Sequence, residues 1–271
     1  NSFSIMAHVT LVPIVTTIKN GFHLPSISEI EKKITSKTKG ILICNPGNPT
    51  GTVYTRDEMD ILVEIAEEHE LYLFSDEVYR EFTYDGAKAI SLFEYAQDYP
   101  DGIVVIDSLS KRYSLCGARL GVLVSRNSVF MDTVLKFAQA RLSVALIDQL
   151  MASKLTEVPE DYFKKVHKEY NERRDILVSH LKKIPGVFCQ KPEGAFYLIV
   201  KLPVKSAEDF ARWLLTDFHD NNETIMIVPA QGFYKTKGLG MDEVRMAYVI
   251  NQKSLVRCAE LLKLALQKYK D

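Results

Sequence analysis

Apolar residues along the chain fall into short runs of strand length, separated by longer stretches with helical spacing. Ile41-Leu42-Ile43-Cys44, Leu71-Tyr72-Leu73-Phe74 and Ile103-Val104-Val105-Ile106 are continuous runs of this kind, the pattern of strands covered on both faces. Between the first two lies Thr55–His69. It opens on Thr55 with Glu58 three residues on, the spacing of a capping box, and carries Ile61, Leu62 and Ile65 as an apolar stripe. This alternation predicts βαβ units on a parallel sheet. Val9–Pro13 and Leu120–Val124 read as further strands. Beyond Ser128 the pattern turns helical, and residues 128–157 and 159–184 are expected to form two long helices parted near Pro159. The charge run on the second (Lys164, Lys165, Lys168, Glu172, Arg173, Arg174) reads as a solvated face. Strands at Gly194–Leu202, Ile225–Val228 and Val244–Ile250 then interleave with helices at Ala207–Asp217 and from Ser254 onward. Phe210, Trp213 and Leu214 share helical spacing and read as core. The expected architecture is α/β: a large domain over 1–157 with a mostly parallel sheet, and a smaller α+β domain over 158–271.

Composition narrows the function classes. The 271 residues are 46% hydrophobic and 25% charged, an ordinary globular mix. Thirty-four basic residues against 35 acidic ones leave a net charge of −1, so no bulk basic field exists for sequence-independent nucleic-acid binding. The apolar runs are far shorter than the ~20 residues that span a bilayer. The four cysteines contain no C-x-x-C pair and the six histidines no metal-ligand spacing, which argues against a metal site. Cys44 and Cys116 read as small buried hydrophobes, and all four thiols as reduced, in a cytoplasmic protein. The chain opens on Asn1 with no basic-then-apolar leader. It reads from its first residues as the middle of a domain, so the expectation is a piece of a longer protein.

The chemistry concentrates after the strands. The first is followed by Asn45-Pro46-Gly47-Asn48-Pro49-Thr50-Gly51, the second by Ser75-Asp76-Glu77-Val78-Tyr79-Arg80, the third by Asp107-Ser108-Leu109-Ser110-Lys111, with Arg119 eight residues beyond the lysine. Open α/β sheets bind ligands beyond the carboxyl ends of their strands. That rule brings Asn48, Asp76, Tyr79, Ser108, Lys111 and Arg119 to one crevice. Taken singly each has a bland reading: the Asn/Pro/Gly loop as turn chemistry, the aspartate as a helix cap, the lysine as a surface charge. Their conjunction is what points to a site.

Asn48-Pro49-Thr50-Gly51, Asp76-Glu77-Val78-Tyr79, Ser108-Leu109-Ser110-Lys111, Gly117-Ala118-Arg119-Leu120-Gly121, Glu193-Gly194-Ala195-Phe196-Tyr197 and Val244-Arg245-Met246-Ala247-Tyr248 stand in this order. In order and spacing the chain resembles the pyridoxal-phosphate-dependent aminotransferases of fold type I, class I/II, and within them the aspartate-aminotransferase-like branch. The resemblance implies their three-layer large domain with a smaller C-terminal domain. It implies pyridoxal 5′-phosphate as cofactor, an L-amino acid (aspartate first) and a 2-oxo acid such as 2-oxoglutarate as substrates, and a homodimer. It assigns Lys111 to the Schiff base and to proton transfer, and Asp76 to the pyridine nitrogen. Asn48 and Tyr79 fall to the ring oxygen, Ser108, Ser110 and Arg119 to the phosphate, and Arg245, beside Asn48, to the substrate carboxylate. Gly232-Phe233-Tyr234 would lie in a loop near the substrate, and Arg141 reads as a solvated helix charge rather than a second carboxylate ligand.

Family members run to about 400 residues, and the resemblance begins well inside their large domain. A phosphate-binding helix start, a ring-stacking aromatic and an N-terminal arm would lie upstream. Weak cofactor binding and poor turnover are therefore expected of these 271 residues. Two other readings share the cofactor residues: a β-lyase on the same fold, and the aminotransferase-like domain of a transcription regulator.

Overall fold

The computed structural model describes residues 2–270. Asn1, where the sequence reads as opening mid-domain, lies outside them. The chain begins with a short helix, α1 (Ser2–Met6), and after an extended stretch a second, α2 (Ile27–Glu31). Then come β1 (Gly40–Cys44), α3 (Arg56–Glu68), β2 (Tyr72–Asp76), β3 (Ile103–Ser108), the single-turn helix α4 (Leu109–Arg112) and β4 (Gly121–Ser125). These strands form one sheet in the order β1-β2-β3-β4. The first three are parallel and β4 runs antiparallel to β3, the mostly parallel sheet expected.

Local chemistry accounts for the elements. The Thr55 hydroxyl accepts from the Glu58 N–H at 3.2 Å, and the Glu58 carboxylate accepts from the Thr55 N–H at 2.8 Å. This reciprocal cap satisfies two of the donors that a helix start leaves unpaired. Met59, Leu62, Val63, Ile65 and Ala66 then bury one face of α3 against Ile41, Ile43, Leu73, Ile103 and Val105 of the sheet.

Beyond the sheet lie α5 (Ser128–Arg141), α6 (Leu146–Ser153) and the 22-residue α7 (Glu160–Leu181). The final portion holds β5 (Tyr197–Lys201), α8 (Ala207–Thr216), β6 (Val228–Pro229), β7 (Glu243–Ala247) and α9 (Gln252–Lys268). Its antiparallel sheet has the order β5-β7-β6. A second apolar cluster fills this part, built on Leu177, Leu181, Leu198, Val200, Phe210, Leu214, Leu261 and Leu262, with Trp213 packed against it as expected. Tyr79, Phe82 and Tyr84 from the loop after β2 join that cluster, so the two parts share packing.

Several expectations are corrected. Val9–Pro13 is not a strand: Val9 and Val12 are exposed, and alternation without a neighbouring backbone to pair with does not make a sheet. The stretch 128–157 is not one helix. It breaks after Arg141, where Leu142 takes φ 74° and ψ 170°, a backbone region that only glycine adopts freely. The strand expected at Ile225–Val228 is shifted and cut to Val228–Pro229. Cys116 is exposed rather than buried, while Cys44 is half-buried. Arg174, taken for part of a solvated face, is fully buried.

Candidate functional site

The parallel register sets the strand ends level. Cys44 pairs with Asp76, and Asp76 with Ile106, so the three loaded loops leave the sheet on one side. The loop after β1 contains two cis bonds, Asn45–Pro46 and Asn48–Pro49. Its last residue, Gly51, has φ +73°, and a Cβ there would stand 2.4 Å from Pro192 and 2.7 Å from the Tyr197 carbonyl. Only glycine permits that approach. It lets the Gly51 carbonyl accept from the N–H groups of Glu193 at 3.0 Å and Gly194 at 2.7 Å, which brings the start of β5 onto the loop.

Around this junction the predicted residues gather. The Asn48 amide donates to the Tyr79 hydroxyl at 3.4 Å, and its Oδ1 accepts from Arg245 at 3.1 Å. The Tyr79 hydroxyl donates to that of Tyr197 at 3.3 Å. Lys111 points its Nζ at two rings, 6.0 Å from the centre of Tyr79 and 5.9 Å from that of Phe196. Asn48, Tyr79, Lys111 and Arg245 thus share one constellation. Asp76 stands at the end of the central strand β2 and accepts from the Val78 N–H at 3.2 Å. Burial raises its carboxyl pKa, the nearby Asp107 adds to the rise, and Lys111 opposes it. A carboxylate in this state has high affinity for a proton or a cation.

Ser108, Ser110 and Arg119 are placed differently. The Ser108 hydroxyl caps α4 by accepting from the Ser110 N–H at 3.2 Å. Arg119 is exposed, has φ +52°, and donates to the Cys116 carbonyl at 2.9 Å. Their hydrogen bonds stay within the segment that carries Lys111. Next to Lys111, Arg112 pairs with Asp107 and, at 3.2 Å, with Glu81. Arg112 is thus the cation paired with Asp107.

Three rings, those of Tyr197, Phe233 and Phe196, make contacts in this arrangement that the sequence patterns did not assign. Arg245 lies with its guanidinium carbon 4.7 Å from the ring centre of Tyr197 and 5.0 Å from that of Phe233. Phe196 meets the Tyr79 ring edge-on at 5.2 Å. Phe196 and Tyr197 stood in a recognised motif, and that motif was the available signal. Cys44, beside Asp76, has its thiol pKa pushed up to about 12 by burial and by the aspartate's charge, so it is an unreactive neighbour. A separate cavity of about 330 Å³ opens between Lys19, His23, Thr50 and Gln190–Glu193, and none of the predicted site residues lines it. Among the described residues, no helix is long and apolar enough to cross a membrane.

Comparison with known proteins bears on the chain as a whole. The chain is 30% identical over 253 residues to an aspartate aminotransferase of Pyrococcus horikoshii, covering 92% of this chain and 62% of that protein. It is 33% identical over 258 residues to the putative aminotransferase YugH of Bacillus subtilis, covering 93% of this chain and 64% of that one. It therefore spans a little over three-fifths of the length of these curated relatives. Among solved structures, an alanine aminotransferase from Pyrococcus furiosus superposes with a TM-score of 0.86 at 29% identity, covering 98% of this chain and 67% of that one. An aspartate aminotransferase from Thermotoga maritima gives 0.84 at 29% identity, covering 97% and 66%. The family described as aminotransferase class I and II matches residues 5–260. That span takes in every segment of the constellation, from Asn48 to Arg245, and the chain belongs to this family.

Proposed function

We propose that this protein acts in the transfer of an amino group from an L-amino acid, aspartate first, to a 2-oxo acid such as 2-oxoglutarate, with pyridoxal 5′-phosphate as cofactor. One observation carries the reading. Arg245 and Asn48, 197 residues apart in sequence, meet beside Tyr79 and Lys111. A carboxylate-binding fork, an amide, a phenol and an amine on one wall suit a small zwitterion held against an aromatic cofactor. The donor set also fits the cofactor itself: a half-buried carboxylate with raised proton affinity (Asp76) matches a ring cation, and the exposed guanidinium of Arg119 matches a phosphate. The two larger of the three apolar clusters among the described residues, one around α3 and one around α8 and α9, support the division at 157/158 into a cofactor unit and a smaller C-terminal unit. Exposed apolar residues on α5 and α6, among them Phe137 and Ile147, support a homodimer.

In this reading Arg245 grips the substrate carboxylate in a bidentate pair and fixes the α-carbon against the ring. The Lys111 amine takes the α-proton and returns it at the far end of the exchange. Asp76 pairs with the ring nitrogen, and Asn48 and Tyr79 hold the ring oxygen. Ser108, Ser110 and Arg119 hold the phosphate. When bound, the cofactor supplies the electron sink that stabilises negative charge on the α-carbon. The test is oxaloacetate formation from L-aspartate and 2-oxoglutarate, with and without added pyridoxal phosphate. Slow, cofactor-dependent oxaloacetate formation is expected. Pyruvate and ammonia from a cysteine conjugate, with no oxaloacetate, would favour the β-lyase instead.

Asp76 offers a second test. Its raised pKa means that the folded protein keeps a proton which the unfolded chain, with a value near ~3.9, has already lost. Its cost to stability is absent below the unfolded value and complete above the folded one. Asp76→Asn is therefore expected to raise the thermal midpoint of the cofactor-free protein at neutral pH, with the gain fading toward pH 4. The same change is expected to weaken pyridoxal phosphate binding by at least tenfold, the effect of losing ~1.4 kcal/mol or more from a charge-assisted bond. Melting curves at several pH values and an absorbance titration read both. A lower midpoint at neutral pH overturns the account of the carboxylate.

A further inference from the structure

We propose that Tyr197 is a positioning residue that ties the carboxylate-binding arginine to the phenol of Tyr79, an inference that rests on the site reading above. The contacts form a closed circuit. Arg245 donates to Asn48 at 3.1 Å, Asn48 donates to Tyr79 at 3.4 Å, and Tyr79 donates to Tyr197 at 3.3 Å. The ring of Tyr197 then returns to Arg245, whose guanidinium carbon lies 4.7 Å from its centre.

The sheet explains how one side chain reaches both ends. β5 and β7 are antiparallel with Ile199 opposite Arg245. Tyr197, two residues from Ile199, is the diagonal neighbour of Arg245 on the same face, within reach of long and aromatic side chains. Its ring also meets the Tyr79 ring edge-on, with centres 5.7 Å apart.

Two separable effects follow. The ring face restricts the guanidinium, and Phe233 adds a second ring at 5.0 Å. A fork already oriented loses less freedom when a carboxylate arrives, so the ring acts on substrate affinity. The hydroxyl acts elsewhere. A phenol both donates and accepts, so Tyr197 accepts the Tyr79 hydrogen bond in this structure and can donate to the Tyr79 oxygen when the Tyr79 hydroxyl turns to another acceptor. Bonds in such a chain polarise one another. Tyr197 thereby strengthens the donation that Tyr79 makes to the cofactor oxygen, and stabilising negative charge there lowers the pH at which the cofactor's visible band titrates.

Tyr197→Phe keeps the ring and removes the hydroxyl, whereas Tyr197→Leu removes both. The readouts, on the full 271-residue chain, are 2-oxoglutarate binding by calorimetry and the pH titration of the absorbance band that forms with pyridoxal phosphate. Tyr197→Phe is expected to move the titration to higher pH, corresponding to at least a threefold change in proton affinity, while 2-oxoglutarate affinity stays within twofold. Tyr197→Leu is expected to move the titration similarly and also to weaken 2-oxoglutarate binding about five- to tenfold, as the loss of a cation–π contact predicts. If both variants shift both readouts by the same factor, or Tyr197→Leu leaves 2-oxoglutarate affinity within twofold, the inference fails although the site reading stands. If the unsubstituted protein binds neither probe even at high probe concentration, the site reading fails and the inference with it.

Discussion

Lys111→Ala is expected to abolish transamination, lowering the rate by at least about 10²–10⁴-fold, the range that a positioned proton-transfer group contributes by itself. Folding should be little affected. Lys111 is half-buried and makes its contacts through an ammonium at the outer limit of cation–π range from two rings, each worth about 0.5 kcal/mol. Lys111→Arg is the sharper variant. It keeps a cation over Tyr79 and Phe196, yet a guanidinium does not give up its proton in proteins. The proposal requires the arginine variant to be as inactive as the alanine one in the oxaloacetate assay. Activity above a tenth of the original with arginine would reduce Lys111 to a fixed charge and remove it from the proton-transfer role.

The largest effect on stability is expected at Arg174. Its side chain has no exposed surface, and it draws three parts of the chain together. From α7 it donates to Asn171 at 2.6 Å and Asp175 at 2.9 Å, from the loop after β2 it engages Asp85 at 3.0 Å, and ahead of β5 it donates to the Pro192 carbonyl at 3.1 Å. Its guanidinium carbon lies 4.6 Å from the ring centre of Tyr84. Breaking a buried pair costs about 3–5 kcal/mol when the partner is left charged and dry. Here Asp85 and Asp175 remain about half exposed, and Lys191 stays within 2.9 Å and 3.1 Å of them. The lower end therefore applies, and Arg174→Ala should cost about 3 kcal/mol by urea denaturation. Arg174→Met, which fills the volume without a charge, should recover part of that loss. Lys191 and Arg174 also hold the Asp85 carboxyl below its usual range. Its contribution is thus present above the unfolded value near ~3.9 and fades as pH falls below it. A loss under 1 kcal/mol in Arg174→Ala would show that the network is ornamental.

Much of this was legible in the sequence because it is set locally. The runs that became β1, β2 and β3, and the Thr55–Glu58 cap, follow from periodicity and helix-end chemistry within a few residues. The loop residues Asn48, Asp76, Tyr79 and Lys111 were found because strand ends gather chemistry. Other features depended on what lies across space. Val9–Pro13 reads like a strand, but among the described residues it pairs with no other strand. The break at Leu142 has no glycine or proline to announce it. Arg174 sits in a charged run, and its burial depends on Asp85 and Pro192, far away in the chain. The contact of Tyr197 with Arg245 needed the register of two strands, which side-chain periodicity alone does not give.

The span of those contacts has a consequence for how the protein reaches its folded state. The Asn48–Arg245 and Tyr79–Tyr197 bonds close loops of 197 and 118 residues. Each doubling of loop length adds only about 0.6 kcal/mol of closure entropy, so these links are affordable at equilibrium, but they have no local nucleus to start them. Helices such as α3 form in microseconds or less, whereas pairings distant in sequence come late. The wall of Asn48, Tyr79, Tyr197 and Arg245 is therefore a late-forming part of the molecule, and a chain can hold nearly all of its helix while it still has no place for a carboxylate.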